Sequence, residues 1–315
     1  MGREQAKATL SIGFSDGVVI LAGIVAGKVL AISLGPSGLG LVSQLRNLQG
    51  LLIMIAGLGM TNGIIVLAAE RAGHDDRNAF EALVSSALVT VVVIALPAAA
   101  AVLLISKRIA SSSLDDAALS HLIVLVAVAV FFRTISSVMG AILRGLLRLR
   151  QILWSNLATA LATLVTAPLA IWWHTTGYAI GLVLIAMART VTTYRLLAAE
   201  LEFKLWGSSI LSKYQIEMTK RLVVFGAVML SSQGVQILES VIVTSLVIKQ
   251  LGTEGAGIYA VVYGIPHMLL TFLLRSNSTY ALPKLSAGRG NSEAVVSLKN
   301  DAMQVLLSMW LPVAS

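Results

Sequence analysis

Cysteine is absent from the whole sequence. That excludes disulfides, thiolate metal sites and a cysteine nucleophile. The four histidines, His74, His121, His174 and His267, are scattered and lack the spacing of a metal site. No P-loop or dinucleotide glycine pattern follows a strand, so no nucleotide site or other cofactor is expected. Charge is scarce too: 12% of residues are Asp, Glu, Lys or Arg, against about 25% in soluble domains. A chain this poor in charge cannot cover itself with a solvated surface. Its acidic pairs, Asp75-Asp76 and Asp115-Asp116, fall in stretches that read as loops and as solvated surface.

Long apolar runs take the place of charge. FEALVSSALVTVVVIALPAAAAVLLI and HLIVLVAVAVFF exceed what a core helix needs, and about 20 apolar residues span a bilayer as a helix. The fold class expected is an all-α polytopic membrane protein. Run lengths and breakers place spans at 9–33, 42–69, 81–105, 119–142, 152–173, 178–199, 221–249 and 257–281, with a ninth beginning near 302. Gly35-Pro36 ends the first span, because glycine permits a left-handed cap and proline cannot continue a helix. His174 to Gly177 reads as a tight turn, and Pro97 and Pro266 as candidate kinks. The N-terminal run is long and contains Asp16, so it reads as a retained helix rather than a cleaved signal. Ala6 stands where a myristoylation signal has Ser or Thr.

The net charge is +8. Its basic residues sit in short loops, which favours a topology signal over nucleic-acid binding. Arg3, Lys7, Arg71, Arg77, Arg144, Arg148, Arg150, Arg195, Lys204, Lys213, Lys220, Arg221, Lys284, Arg289 and Lys299 fall on one side. Lys107, Arg108 and Lys249 fall on the other, with Arg46 near its edge. The asymmetry predicts a cytoplasmic N-terminus.

Two glycine-rich breaks, LGPSGLG (Leu34 to Gly40) and LGTEGAG (Leu251 to Gly257), repeat with every glycine offset by 217 positions. VLAAERAG (Val66 to Gly73) faces ALPKLSAG (Ala281 to Gly288) at a nearly equal offset. Spans one and two therefore resemble spans seven and eight in the same orientation, as in a parallel repeat about the membrane normal. This predicts a first six-helix lobe over residues 1–206 and the start of a second over 207–315. The second lobe is truncated here: completing it would take about a hundred further residues.

Some charges fall inside the spans, where each costs about 2.5–3.5 kcal/mol on insertion scales. Arg133, Arg189, Asp16 and Glu239 are the deepest. Ser136, Ser137, Gly140 and Arg144 follow Arg133 at helical spacing and form one polar stripe. Lys28, Arg46 and Arg275 lie nearer helix ends, where snorkelling is an alternative. For the deep group two readings stand. One is structural pairing, such as Arg133 with a carboxylate. The other is a hydrated central cavity whose guanidiniums suit phosphate through bidentate hydrogen bonds.

GKVLAISLGPSGLGLVSQLRNLQ (Gly27 to Gln49) followed by AGLGMTNGI (Ala56 to Ile64) resembles the start of the Wzx-type flippases of O-antigen and enterobacterial common antigen. These belong to the multidrug/oligosaccharidyl-lipid/polysaccharide exporter superfamily. MGAILRGLLRLRQ and LPKLSAGRGNSEAVVSLK fit the same pattern. The resemblance implies two six-helix lobes around a cavity in the bacterial inner membrane. It implies alternating access that carries a polyprenyl-pyrophosphate-linked oligosaccharide from the cytoplasmic to the periplasmic leaflet, without enzymatic chemistry. Its partners would be that glycan lipid, the bilayer and other membrane proteins of polysaccharide assembly. Basic cavity residues would receive the anionic head. Lys28 and Arg46 lie in the matching block; Arg133, Arg189 and Arg275 match in kind. Asp16 and Glu239 are candidates for ion coupling by their depth.

Three other readings share parts of this pattern. A cation or drug antiporter of the same superfamily would favour buried acids over buried bases. A membrane glycan polymerase or glycosyltransferase would need a sizeable loop with catalytic residues, and Glu200 to Lys220 offers no convincing site. An inactive remnant would insert and transport nothing.

Overall fold

The computed structural model describes the backbone of residues 3–73, 77–146, 148–200 and 208–287, and most side chains between 17 and 264. The described residues form nine α-helices and one 3-10 turn, with no strand among them. The helices are α1 (Arg3–Ala56), α2 (Thr61–Gly73), α3 (Arg77–Leu104), α4 (Ser106–Ser113), α5 (Ser120–Gly145), α6 (Leu149–Thr166), α7 (Leu169–Glu200), α8 (Ser208–Ser212) and α9 (Ile216–Ala287). Two compact units divide the chain, Met1–Ile258 and Tyr259–Ser315. In the second, the Tyr259 and Tyr263 rings stack. The first carries the helix packing and the polar cluster.

Five helical stretches are long and apolar enough to cross a membrane: Gly17–Ala56, Asn78–Leu104, Ala117–Gly145, Leu169–Ala199 and Gln233–Gly264. The protein is an all-α, multi-pass membrane protein. Its interior combines two apolar clusters with small polar groups, and large apolar side chains also face outward. Ser85, Ser86, Thr134, Ser136 and Thr193 are buried, while Val93, Leu96, Leu104, Val165 and Trp172 are exposed. Lipid solvates apolar side chains, so small and polar groups hold the helices to each other. Ser155 bonds Thr193 at 3.0 Å, and the Thr190 hydroxyl donates to the Phe132 carbonyl at 2.8 Å. Trp154, near the start of α6, and Trp172, near the start of α7, are 53% and 71% exposed. They are separated by about 27 Å of chain at helical rise. That is close to the roughly 30 Å hydrocarbon core, so both indoles fit the two interfaces where tryptophan concentrates.

Several boundaries differ from the sequence expectation. The second span is interrupted: after Ala56 the chain turns through Leu58 and Gly59, both at positive φ, before α2 begins. The fifth span is helical in two pieces, α6 and the first residues of α7, and ends at the kink at Trp173 and His174, where the sequence expectation put its end. Proline cannot donate a helical hydrogen bond, and α6 ends at Thr166, two residues before Pro168. By contrast, α3 runs past Pro97 to Leu104. The loop after the third span contains α4, which carries the exposed Lys107 and Arg108. There Asp116 caps the 3-10 turn by accepting from the Ala118 amide at 2.8 Å. The turn expected from His174 to Gly177 begins one residue earlier, as a kink at Trp173 and His174 within α7.

The repeated glycine breaks have matching backbones. Gly35 has φ 63° and ψ −173° within α1; Gly252 has φ 71° and ψ 179° within α9. Both lie in the left-handed region that glycine enters at no steric cost. The breaks also meet reciprocally. A Cβ on Gly40 would overlap the Thr253 carbonyl oxygen, and one on Gly257 the Pro36 carbonyl oxygen. Pro36 and Thr253 are equivalent positions of the repeat. Beside them the Ser37 and Thr253 hydroxyls lie 2.6 Å apart.

From this seat α1 and α9 run antiparallel. The Gln44 amide donates to Ser245 Oγ at 2.7 Å, and Asn47 Nδ2 donates to Thr244 Oγ1 at 3.0 Å. Further along, Gly50 faces Ile237, Gly234 faces Met54, and Gly226 lies against the Leu58 carbonyl. At its N-terminal end α9 docks on α3. Glu81 pairs with Lys213, Ser86 Oγ both accepts from the Gln215 amide and donates to its carbonyl, and Thr90 meets Thr219.

Candidate functional site

Three helices bring polar side chains together within the membrane-spanning region. Arg46 lies on α1, eleven residues past the Gly35 break. Tyr178 lies on α7, just after the kink at Trp173 and His174. Arg133 lies midway along α5. The Arg46 Nε–H donates to the Tyr178 phenolic oxygen at 2.7 Å, and the guanidinium carbon sits 5.6 Å from the ring centroid. Hydrogen bond and cation–π attraction thus act in one pair. Tyr178 is buried, whereas Arg46 remains exposed. The guanidinium is therefore held at its Nε edge, and its Nη donors have no partner among the described residues. Arg133 is half-buried and within electrostatic reach of the same phenol.

Arg133 has neither a carboxylate nor a hydrogen-bond acceptor among the described residues. Its own carbonyl accepts from the Ser136 and Ser137 hydroxyls at 2.9 and 2.8 Å. Those two members of the polar stripe therefore bond backbone rather than the guanidinium. Of the two readings open for this arginine, carboxylate pairing finds no support among the described residues. A guanidinium in a membrane span is retained only where water, protein or a ligand satisfies it.

Lys28 and Glu239 lie away from this cluster. Helices α5 and α7 run side by side in the same direction. His121 meets Thr176 at one end, and Phe132 meets Thr190 further on. Arg189, adjacent to Thr190, is half-buried at the level of Arg133. Lys28 is exposed, on the face of α1 opposite the buried Ala22, Ala26 and Leu30. Glu239 is exposed too. At 3.6 residues per turn it lies on the face of α9 opposite Ile237, Val241 and Thr244, which turn toward α1. The side chains of Asp16 and Arg275 lie outside the described residues. No group of acidic or histidine ligands able to hold a metal occurs among the described residues.

Tyr178 is the member of the site that sequence reasoning passed over. One signal was available: a tyrosine placed directly after a predicted turn, early in an apolar span. A phenol there needs a polar partner. Which partner it takes, 132 positions away, cannot be read from spacing.

Comparison with known proteins fits this architecture. Over 86 residues the chain is 42% identical to the Lipid III flippase of Escherichia coli K12, and equally to that of Shigella flexneri. That stretch is 27% of this chain and 20% of the relatives' length. Two solved structures share the fold. One is an inward-facing multidrug-resistance MATE-family transporter of the MOP superfamily, with TM-score 0.72, 17% identity, and coverage of 94% of this chain and 68% of that one. The other is a MOP-superfamily transporter from Pyrococcus furiosus, described by the reversed polarity of its binding pocket. It has TM-score 0.71, 14% identity, and coverage of 98% of this chain and 70% of that one. The profile of the family described as "Polysaccharide biosynthesis protein" matches residues 6–288. With about nine-tenths of its length matched, the chain belongs to the polysaccharide biosynthesis protein family.

Proposed function

We propose that this chain belongs to a flippase that moves a polyprenyl-pyrophosphate-linked oligosaccharide across the bacterial inner membrane, from the cytoplasmic to the periplasmic leaflet. The observation that carries the reading is the Arg46 guanidinium tethered to Tyr178 within a span, with Arg133 on the neighbouring α5 lacking a carboxylate partner among the described residues. Two guanidiniums offering unspent donors suit a doubly anionic pyrophosphate. Family membership and the Lipid III flippase likeness support the substrate class. They also favour transport over catalysis.

The proposed mechanism is alternating access between two lobes, residues 1–206 and a second beginning at 207. The pyrophosphate would engage the arginines, the glycan would cross in a hydrated path, and the prenyl tail would stay in lipid. The basic loops favour a cytoplasmic N-terminus. Lys28, Arg189 and Arg275 are proposed as further basic contacts, and Asp16 and Glu239 as ion-coupling groups. Other membrane proteins of polysaccharide assembly are proposed partners.

The test is complementation in a bacterium whose own lipid-linked-oligosaccharide flippase has been deleted. Surface polysaccharide should return with the natural gene and fail with Arg46→Ala/Arg133→Ala at equal membrane abundance. Full restoration by that double variant would remove the basic pair from the mechanism. Drug resistance without any glycan effect would transfer the protein to the antiporter reading.

A further inference from the structure

We propose that Tyr178 is a positioning residue of an oxyanion site: its phenolic oxygen holds the Nε edge of Arg46 and leaves the Nη fork, with the phenolic proton, for a phosphate or pyrophosphate group. This rests on the flippase reading for its lipid ligand, though not for the oxyanion site itself.

A guanidinium has five N–H donors and no acceptor. Arg46 spends one, the Nε–H, on Tyr178 at 2.7 Å. Its four Nη–H donors have no partner among the described residues, and the side chain is exposed. The guanidinium carbon stays within cation–π range of the ring, 5.6 Å from its centroid, which adds to the hold of the hydrogen bond. An arginine tethered this way loses less freedom when it captures an anion, and pre-organisation of that kind strengthens binding. Lysine could not substitute, since it has no Nε–H edge to tether while a fork stays open.

The phenol is buried, and its oxygen already accepts from a cation. A tyrosine hydroxyl also carries one donor. That proton has no acceptor among the described residues, and accepting from Arg46 polarises the O–H into a better donor. The group able to take the Nη fork, the phenolic proton and the nearby charge of Arg133 together is a compact polyanion.

The test is binding to the purified chain in nanodiscs of zwitterionic lipid. Farnesyl pyrophosphate serves as the lipid probe and inorganic pyrophosphate as the soluble one. Tyr178→Phe keeps the ring and removes the hydroxyl. A hydrogen bond to a charged group is worth enough that roughly tenfold or greater weakening is expected. Arg46→Ala should weaken binding to a similar extent, and the double variant by less than the product of the two single effects. In an Arg46→Lys background, Tyr178→Phe should weaken binding by less than it does in the natural chain, because only the phenol's own donor is then lost and not the Nε tether, a background dependence that a merely structural tyrosine would not reproduce. Thermal melting of each variant separates lost binding from lost folding.

The proposal is overturned by wild-type affinity in a well-folded Tyr178→Phe chain. It is also overturned by multiplicative effects of Tyr178→Phe and Arg46→Ala, or by failure of the natural chain to bind either probe. Tyr178-dependent binding of inorganic pyrophosphate, with no gain from the farnesyl chain, upholds the site and assigns it to a soluble anion. Tyr178-dependent binding alongside failed complementation upholds the site and rejects the flippase reading.

Discussion

Alanine at Gly257 tests whether the two glycine breaks are seated on one another. The added Cβ would lie 2.7 Å from the Pro36 carbonyl carbon and would overlap that group's oxygen. These are backbone atoms and cannot swing aside as a long side chain would. A close-packed interior holds no slack for a methyl group, so the helices must part by roughly an ångström. The 2.6 Å contact between Ser37 and Thr253 then opens beyond hydrogen-bond range. Overpacking costs about 1–3 kcal/mol and an interhelical bond in a membrane about 0.6 kcal/mol, while alanine returns up to about 1 kcal/mol of helix propensity. The balance is a loss of about 1–2 kcal/mol. Gly40→Ala should cost about the same, because the contact is reciprocal.

Other glycines of α1 calibrate the measurement. A Cβ on Gly23 meets nothing within 4 Å and the backbone there is helical, so Gly23→Ala should hold or raise stability. Gly35 also has open space, but its φ of 63° strains any L side chain, and Gly35→Ala should cost about 1–2 kcal/mol. Thermal unfolding in detergent, followed by tryptophan fluorescence, reads all four. At an unfolding entropy of about 2.1 cal/mol/K per residue, a chain of 315 residues shifts by about 1.5 °C per kcal/mol, so Gly257→Ala and Gly40→Ala should melt about 2–3 °C low. If both melt with or above Gly23→Ala, the breaks are not packed on one another and the reciprocal seat is wrong.

Because the chain has no cysteine, Ser37→Cys/Thr253→Cys supplies the only thiols, and mild oxidation should crosslink the two positions; an unreactive pair would contradict their proximity. Lys213→Ala should destabilise more than Glu81→Gln in the same melting assay. The first takes a cationic partner from a carboxylate that is 6% exposed, whereas the second leaves a lysine that is 38% exposed and already partly solvated. In chains keeping a single tryptophan, Trp154 and Trp172 should each be quenched most by brominated lipids labelled near the headgroup; quenching deepest at the bilayer centre would misplace α6 and α7.

Much of the fold was legible because a bilayer enforces simple rules. Run length against membrane thickness marked the helices, and Gly35-Pro36 marked the first break. The repeat of LGPSGLG and LGTEGAG anticipated two matched backbones at Gly35 and Gly252. The break after Ala56 was hidden, because AGLGMTNG reads as small residues within a span and hydropathy does not register positive φ at Leu58 and Gly59. The helix α4 was hidden for the opposite reason. SKRIASSS is too short and too polar to raise a hydropathy signal, yet Ser106, Ala110 and Ser113 are buried at helical spacing.

The candidate site was legible one residue at a time and not as a set. Depth within an apolar run identified Arg133, because a charge there demands an explanation. Arg46 looked like a helix-end residue suited to snorkelling. Its tether to a buried phenol on another helix is the opposite behaviour, since a snorkelling chain reaches toward the interface and would not spend its Nε–H on Tyr178. Lys28 was a candidate by its place in the matching block and Glu239 by its depth, yet both lie on faces turned from their neighbours' packing surfaces. What separates these cases is rotation about each helix axis, which only packing settles. The reciprocal glycine seat and the Gln44 and Asn47 bonds to α9 fix that rotation for α1 and carry Arg46 to α7. The seat and the site are therefore mechanically joined. Forcing the helices apart with Gly257→Ala should also lengthen the Arg46–Tyr178 contact, so pyrophosphate affinity should fall in that variant although the substituted atom lies far from any ligand.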